Sequence, residues 1–423
     1  MHADRLALPE ERPEAFRIAL VSTCPPRQCG IATFASDLAG AIEGADPAAR
    51  VSWAAIDDTR DERARRYGDQ VRWRIRQRDA RSYAEVAAQI NASPVDVVSI
   101  QHEFGLYGIW GETFEDHLAP FLDVLRKPLV TGFHTVLPNP SRSVRDAVRR
   151  IGRRSEALIV MAHRARNILE LEYGIDPATV HVIPHGAPPV AVAGRERIRA
   201  RLGLEGRSVI STFGLLDPRK GIEYMVRAMP QIVRRRPDAL YLILGKTHPE
   251  LVHRAGEAYR AGLIELVRAC GVERHVAFID EYLTQAEVVD YLVASDVYVT
   301  PYLDLNQITS GTLAYALAAG KAIVSTPYAH AVEVLADHRG LLVPARSEQG
   351  LADAVSRVLA EDELRSRLER NAYHFGRLTA WPHIGRQVLG VLRAAARNAT
   401  SGPAEAPPRP SQALVEERHP ALT

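Results

Sequence analysis

The stretch NQITSGTLAYALAAGKAIVSTPY, Asn306 to Tyr328, decides how the rest of the chain is read. It opens on a polar turn containing Gly311. Good helix formers follow from Leu313 to Ala319, and Gly320 suits the close of a helix. The run KAIVSTPY then reads as a buried strand. A helix that starts beside parallel strand ends presents free backbone N–H groups to an anion. Thr309, Ser310 and Gly311 fall where this helix begins, and the Ser310 and Thr312 hydroxyls can add to the amides. A plain Ser/Thr helix cap would look the same. The stretch contains no acid, which leaves open what would grip the hydroxyls of a sugar or ribose.

The same alternation runs outward in both directions. Short apolar runs at 17–23, 51–57, 95–101, 128–134, 157–162 and 180–186 are separated by helical patterns. After a Pro-, Gly- and charge-rich break at 187–207 it restarts at 208–214, 239–246, 276–280, 297–302, 321–328 and 340–344. The expected class is therefore α/β, with two doubly wound Rossmann-like domains facing a cleft. The expected divisions are 1–190, 191–372, a closing helical segment 373–398, and a Pro-rich, aperiodic, disordered tail 399–423.

Composition narrows the function. Of 423 residues, 46% are apolar and 25% charged, an ordinary globular balance. With 53 basic against 51 acidic residues the net charge is +2, which argues against bulk nucleic-acid binding. Cys24, Cys29 and Cys270 are too few for a disulfide framework and lack the spacing of a metal site. The first residues are too charged for a signal peptide, and no run reaches the ~18 apolar residues of a membrane span. A cytoplasmic protein is expected. Arg142, Arg145, Arg149, Arg150, Arg153 and Arg154 share one helix, which suggests peripheral contact with the inner membrane face. A solvated basic face is the commoner outcome.

Two further turns match the first. STCPPRQCGIATF carries one strand into a helix at Gly30, with one glycine where a dinucleotide fingerprint has three and without a P-loop ending. FGLLDPRKGIEY ends a strand at Gly214 and sets Arg219 and Lys220 before Gly221, placing two cations where a diphosphate would sit. His102 and Glu103, at another strand end, suit either an acceptor-binding role or a structural hydrogen-bonded pair.

The segments PPRQCGIATF, VIPHG, FGLLDPRKGIE and SGTLAYALAAGKAIVST, in this order, resemble a retaining GT-B-fold glycosyltransferase of the family 4 type over roughly residues 17–380. The resemblance implies a nucleoside-diphosphate sugar as donor, a hydroxyl acceptor, no nucleic-acid partner, and no metal or other cofactor. It places Gly30 and Ile31 near the donor phosphates, His134 at the donor sugar and Lys220 on the diphosphate. Ser310, Gly311 and Thr312 lie beneath the β-phosphate and sugar. Gly214, Thr309, His330 and the acids Asp304 and Glu333 fall nearby, and the segment around Trp381, within 373–398, resembles the last helix that crosses back to the first domain. Two departures stand out. The arginine usual five residues before the lysine is Leu215, with Arg219 as a substitute from another direction. The two usual glutamates are Gln307 and Tyr315. Gln307 can still bond sugar hydroxyls; Tyr315 cannot chelate a diol. Starch and glycogen synthases share the fold and also carry an aromatic residue at the second position. The rival readings are a phosphorylase, a sugar-nucleotide epimerase, or a non-catalytic sugar-nucleotide or glycan binder.

Overall fold

The computed structural model of the chain describes residues 15–58 and 66–400. Most of the expected tail, and the charged N-terminus, lie outside the described residues.

The first sheet contains β1 (Phe16–Ser22), β2 (Ala49–Asp57), β3 (Val71–Arg76), β4 (Val97–His102), β7 (Leu129–Phe133), β8 (Ala157–Val160) and β9 (Val180–Val182). Its order is β3-β2-β1-β4-β7-β8-β9, and every pairing is parallel. Between β4 and β7 a small antiparallel hairpin joins β5 (Gly108–Trp110) to β6 (Phe114–Asp116). The second sheet contains β10 (Ser208–Phe213), β11 (Ala239–Leu244), β12 (Val276–Ile279), β13 (Val297–Thr300), β14 (Ala322–Ser325) and β15 (Leu341–Leu342), in the order β12-β11-β10-β13-β14-β15, again parallel.

Central strands are buried along their whole length, as β4 and β7 show, because helices cover both faces. β3 escaped the sequence reading because it is an edge strand. Its arginines Arg72, Arg74 and Arg76 are all exposed and break the apolar run. The break at 187–207 holds a helix, Arg195–Leu202, whose charge has a structural use. Arg195 and Arg199 each reach Asp296 at 2.5 Å, and Asp296 also accepts from the Val209 N–H at 2.7 Å.

Helix Asp362–Leu378 stays with the second domain, so the expected boundary at 373 falls inside it. The return begins at Thr379, and helix Trp381–Thr400 packs along helix Gly30–Ala45. Gly385 permits that approach, since a Cβ there would meet the Ala41 carbonyl oxygen at 2.3 Å. Alanine improves intrinsic helix propensity by up to ~1 kcal/mol. Overpacking against backbone costs about 1–3 kcal/mol and should win. Gly385→Ala is therefore expected to lower the melting temperature; an unchanged or higher value would show that the two helices can part at no cost.

Candidate functional site

The strand ends and helix starts of the two domains face each other. On the second domain Ser310 caps helix Gly311–Ala318, its Oγ accepting from the Leu313 N–H at 3.3 Å. The Thr312 hydroxyl lies 3.1 Å from Ser310 Oγ and 2.8 Å from the Tyr302 hydroxyl. Lys220 Nζ stands 3.8 Å from the centroid of that same Tyr302 ring. Gly214 abuts Thr312, and the Leu303 N–H donates to the Arg219 carbonyl at 2.8 Å. Two of the three turns read from sequence thus form one unit.

Within this unit the donors divide. The Ser310 N–H is used by His330 Nδ1 at 3.1 Å, and Gln307 folds back so that its Nε2 donates to the Thr309 carbonyl at 2.9 Å. The N–H groups of Gly311 and Thr312 have no partner among the described residues. The expectation that Ser310 offers its amide is corrected accordingly. Gly311 also allows a close approach: an added Cβ would sit 2.9 Å from His185 Nε2.

The third turn belongs to the first domain. Cys29 caps helix Gly30–Ala45, its Sγ accepting from the Ala32 N–H at 3.3 Å. Gly30 itself faces open space, while Ile31 packs on the first domain's core. One turn further, Phe34 lies 4.6 Å from the ring of His134 and 4.8 Å from that of His185, which joins this helix to Gly311.

The histidines here are neutral. Burial lowers His134 and His330 to about 3 and His185 to about 4. His134 Nε2 lies 3.1 Å from Gln101 Oε1. Such imidazoles can form hydrogen bonds to a ligand but add no positive charge.

The two cations differ. Arg219 is forked onto Asp217, Nε to Oδ1 at 2.9 Å and Nη2 to Oδ2 at 3.1 Å. Lys220 makes no ion pair among the described residues. Glu103 is largely enclosed and accepts from the Thr135 hydroxyl at 2.6 Å. Burial pushes its carboxyl up, and the field of Arg219 opposes this across the domain boundary.

Two sequence expectations are corrected by packing. His102 is 2% exposed, stacked on Tyr107 at 5.3 Å with edge contacts to Phe104 and Phe133; it is a core residue sealed from any acceptor. The Glu333 carboxylate is engaged by the facing domain. Its oxygens accept from the His163 and Arg164 N–H groups at 2.8 and 3.2 Å, capping helix His163–Tyr173 of the other domain. Nearby, Ile308 of the second domain enters the first domain's apolar core.

Tyr315, at the second glutamate position, also bridges the domains. Its hydroxyl donates to Asp37 Oδ2 at 3.2 Å, and Gln285 Nε2 reaches Asp37 Oδ2 at 3.0 Å and the Tyr315 hydroxyl at 2.9 Å. A turn away, the hydroxyls of Thr33 and Tyr282 are 3.2 Å apart. Asp37, Gln285 and Tyr282 had no sequence signal, because each lies outside the turn motifs and gains meaning only from the facing domain.

Several arginines of the basic helix Arg142–Arg154 are engaged within the protein. Arg149 bonds the Tyr173 carbonyl, Arg154 those of Leu125 and Lys127, Arg150 pairs with Asp123 and Arg142 with Asp146. No helix among the described residues is long and apolar enough to cross a membrane.

Comparison with known proteins fits this geometry. The family described as Glycosyltransferase Family 4 matches residues 30–189, and that described as Glycosyl transferases group 1 matches residues 194–375. A D-inositol 3-phosphate glycosyltransferase from Nocardioides sp. is 29% identical over 53% of this chain and 50% of its own length. A phosphatidyl-myo-inositol mannosyltransferase from Mycolicibacterium smegmatis is 30% identical over 44% and 45%. The matched part thus spans about half the length of these two relatives. Among solved structures, sucrose-phosphate synthase from Thermosynechococcus elongatus superposes with a TM-score of 0.70 at 18% identity, covering 91% of this chain and 100% of that one. Anabaena HepE in complex with UDP-glucose superposes with a TM-score of 0.68 at 16% identity, covering 89% and 99%. At these identities the structural likeness establishes the two-domain GT-B fold.

Proposed function

We propose, from the premise that the chain belongs to the glycosyltransferases that pair these two domains, that it transfers a hexosyl group with retention from a nucleoside-diphosphate sugar to a hydroxyl acceptor. Mannosyl or glucosyl transfer to a glycan, a lipid-linked or a small-molecule acceptor is favoured. The support is the character of the relatives, which include an inositol-phosphate glycosyltransferase and a phosphatidylinositol mannosyltransferase. One observation carries the reading: Lys220, free of any carboxylate among the described residues, stands over Tyr302, whose hydroxyl bonds the first turn of the helix that bares two N–H groups.

In this reading the bond from the anomeric carbon to the phosphate oxygen breaks, and negative charge grows on the departing diphosphate. Lys220 and the Gly311 and Thr312 amides stabilise that charge, with Arg219 lending a weaker field. The acceptor hydroxyl attacks from the leaving-group face, and its proton passes to the departing phosphate oxygen. No pair of protein carboxylates is required, unlike most glycoside hydrolases. Neutral His134 and Gln307 serve as hydrogen-bonding groups for the sugar. Glu103 lines the acceptor side.

Incubation with GDP-mannose, UDP-glucose or ADP-glucose, with inositol 3-phosphate or phosphatidylinositol as acceptor, should release free nucleoside diphosphate and a glycosylated product from at least one pair. Thermal shift on the same donors reports binding separately, because a ligand of the native state raises the melting temperature. Donors that bind yet never turn over with any hydroxyl acceptor would remove the transferase reading.

A further inference from the structure

We infer that Asp37, on the first domain, supplies the carboxylate that binds the ribose diol of the donor, in place of the glutamate absent at position 315. The inference rests on the nucleoside-diphosphate-sugar reading above. Three observations carry it.

The first is alignment. Gly30, Thr33 and Asp37 fall at i, i+3 and i+7 of helix Gly30–Ala45, so they share one face. That face meets the second domain, since Thr33 bonds Tyr282 and Asp37 bonds Gln285 and Tyr315. At 1.5 Å rise per residue, Asp37 lies about 10 Å along the helix from Gly30. The helix face therefore runs from the phosphate turn toward where the nucleoside would lie.

The second is chemistry. A vicinal diol offers two donors, and an ionised carboxylate accepts both in strong, charge-assisted bonds. Tyr315 has one hydroxyl and gives its proton to Asp37. Gln285 Nε2 reaches both groups, so an amide already flanks the carboxylate as a ribose hydroxyl would.

The third is the balance of acids. Asn306–Tyr328 holds none, and Glu333, an acid close by, is spent on capping helix His163–Tyr173. Asp37 stands within hydrogen-bond reach of the side chain at the altered position.

The consequence is a nucleoside subsite assembled only when the domains meet. Ribose recognition and domain closure then become one event, which excludes water at the moment the donor is gripped.

The test uses UDP, GDP and ADP and their 2′-deoxy counterparts against the full-length protein, with affinity read by calorimetry. The unmodified protein should prefer the ribose form of its nucleotide by about ten-fold or more, the effect of losing one bond to a charged group. Asp37→Asn should erase that preference while the deoxy form binds nearly as before. Tyr315→Phe should leave the preference in place. Tyr315→Glu in the Asp37→Asn background should restore it, which a merely structural role for Asp37 would not produce. A preference that survives Asp37→Asn overturns the inference but leaves the donor reading standing. Absence of binding by every nucleotide diphosphate overturns the donor reading itself.

Discussion

Replacing Lys220 with Ala is expected to slow glycosyl transfer by about 10²-fold or more, the typical cost of losing one preorganised group at a developing anion. The site explains why so much falls on one residue. Arg219 is forked onto Asp217, so much of its charge is already matched. His134, His185 and His330 are neutral. The remaining donors are the two uncharged amides of Gly311 and Thr312. Among the described residues of this site, Lys220 is thus the cation left to meet charge that grows as the diphosphate departs. Because the charge is larger at the transition state than in the bound donor, kcat should fall more than KM rises. The fold should barely notice. The contact of Lys220 with Tyr302 is one cation–π interaction at 3.8 Å, worth about 0.5–1 kcal/mol. A variant with unchanged melting temperature and unchanged kcat would take Lys220 out of the mechanism.

The second large effect concerns acid. His102, His134 and His330 are held to about 3 and His185 to about 4 by burial. In the unfolded chain each titrates near 6.5. Between those values the unfolded state binds more protons, so stability is fully present above about 6.5 and is lost as pH falls toward the folded values. At pH 5 each buried histidine then costs roughly 2 kcal/mol relative to pH 7.5. Asp37, Glu103 and Asp116 act in the opposite sense, since burial raises their carboxyls. Melting temperatures should therefore drop steeply from pH 7.5 to 5, and less steeply for His102→Phe, which keeps a ring against Tyr107. A flat profile over that range would mean the imidazoles are solvated or charged in the native state.

Much of the architecture was legible from hydrophobic pattern alone. Strands such as VVSIQH and LVTGF are buried on both faces and lack polar alternation, the pattern a helix-covered parallel sheet produces. The strand VRWRIR did not, because an edge strand shows its arginines to water. The turns at Gly30, Lys220 and Ser310 were legible for a similar reason: glycine, cations and hydroxyls cluster where strands end and helices begin. What each turn offers was not legible. Nothing in TSGTL tells that the Ser310 amide goes to His330, or that Gly311 lies against His185.

The sequence by itself determined the two sheets, the helix starts between them and the cation at Lys220, because these depend on local pattern and on chemistry a few residues apart. Tertiary structure alone decided the fate of the carboxylates. Glu333 follows a strand end and looks free, yet it caps a helix 170 residues away in sequence. Asp37 sits mid-helix and looks like solvent-facing charge, yet it meets Tyr315 and Gln285 from the opposite domain. Whether a carboxylate caps, pairs or binds is set by which N–H and O–H groups lie within about 3 Å. For both residues those groups arrive from the other domain, where no pattern along the chain can point.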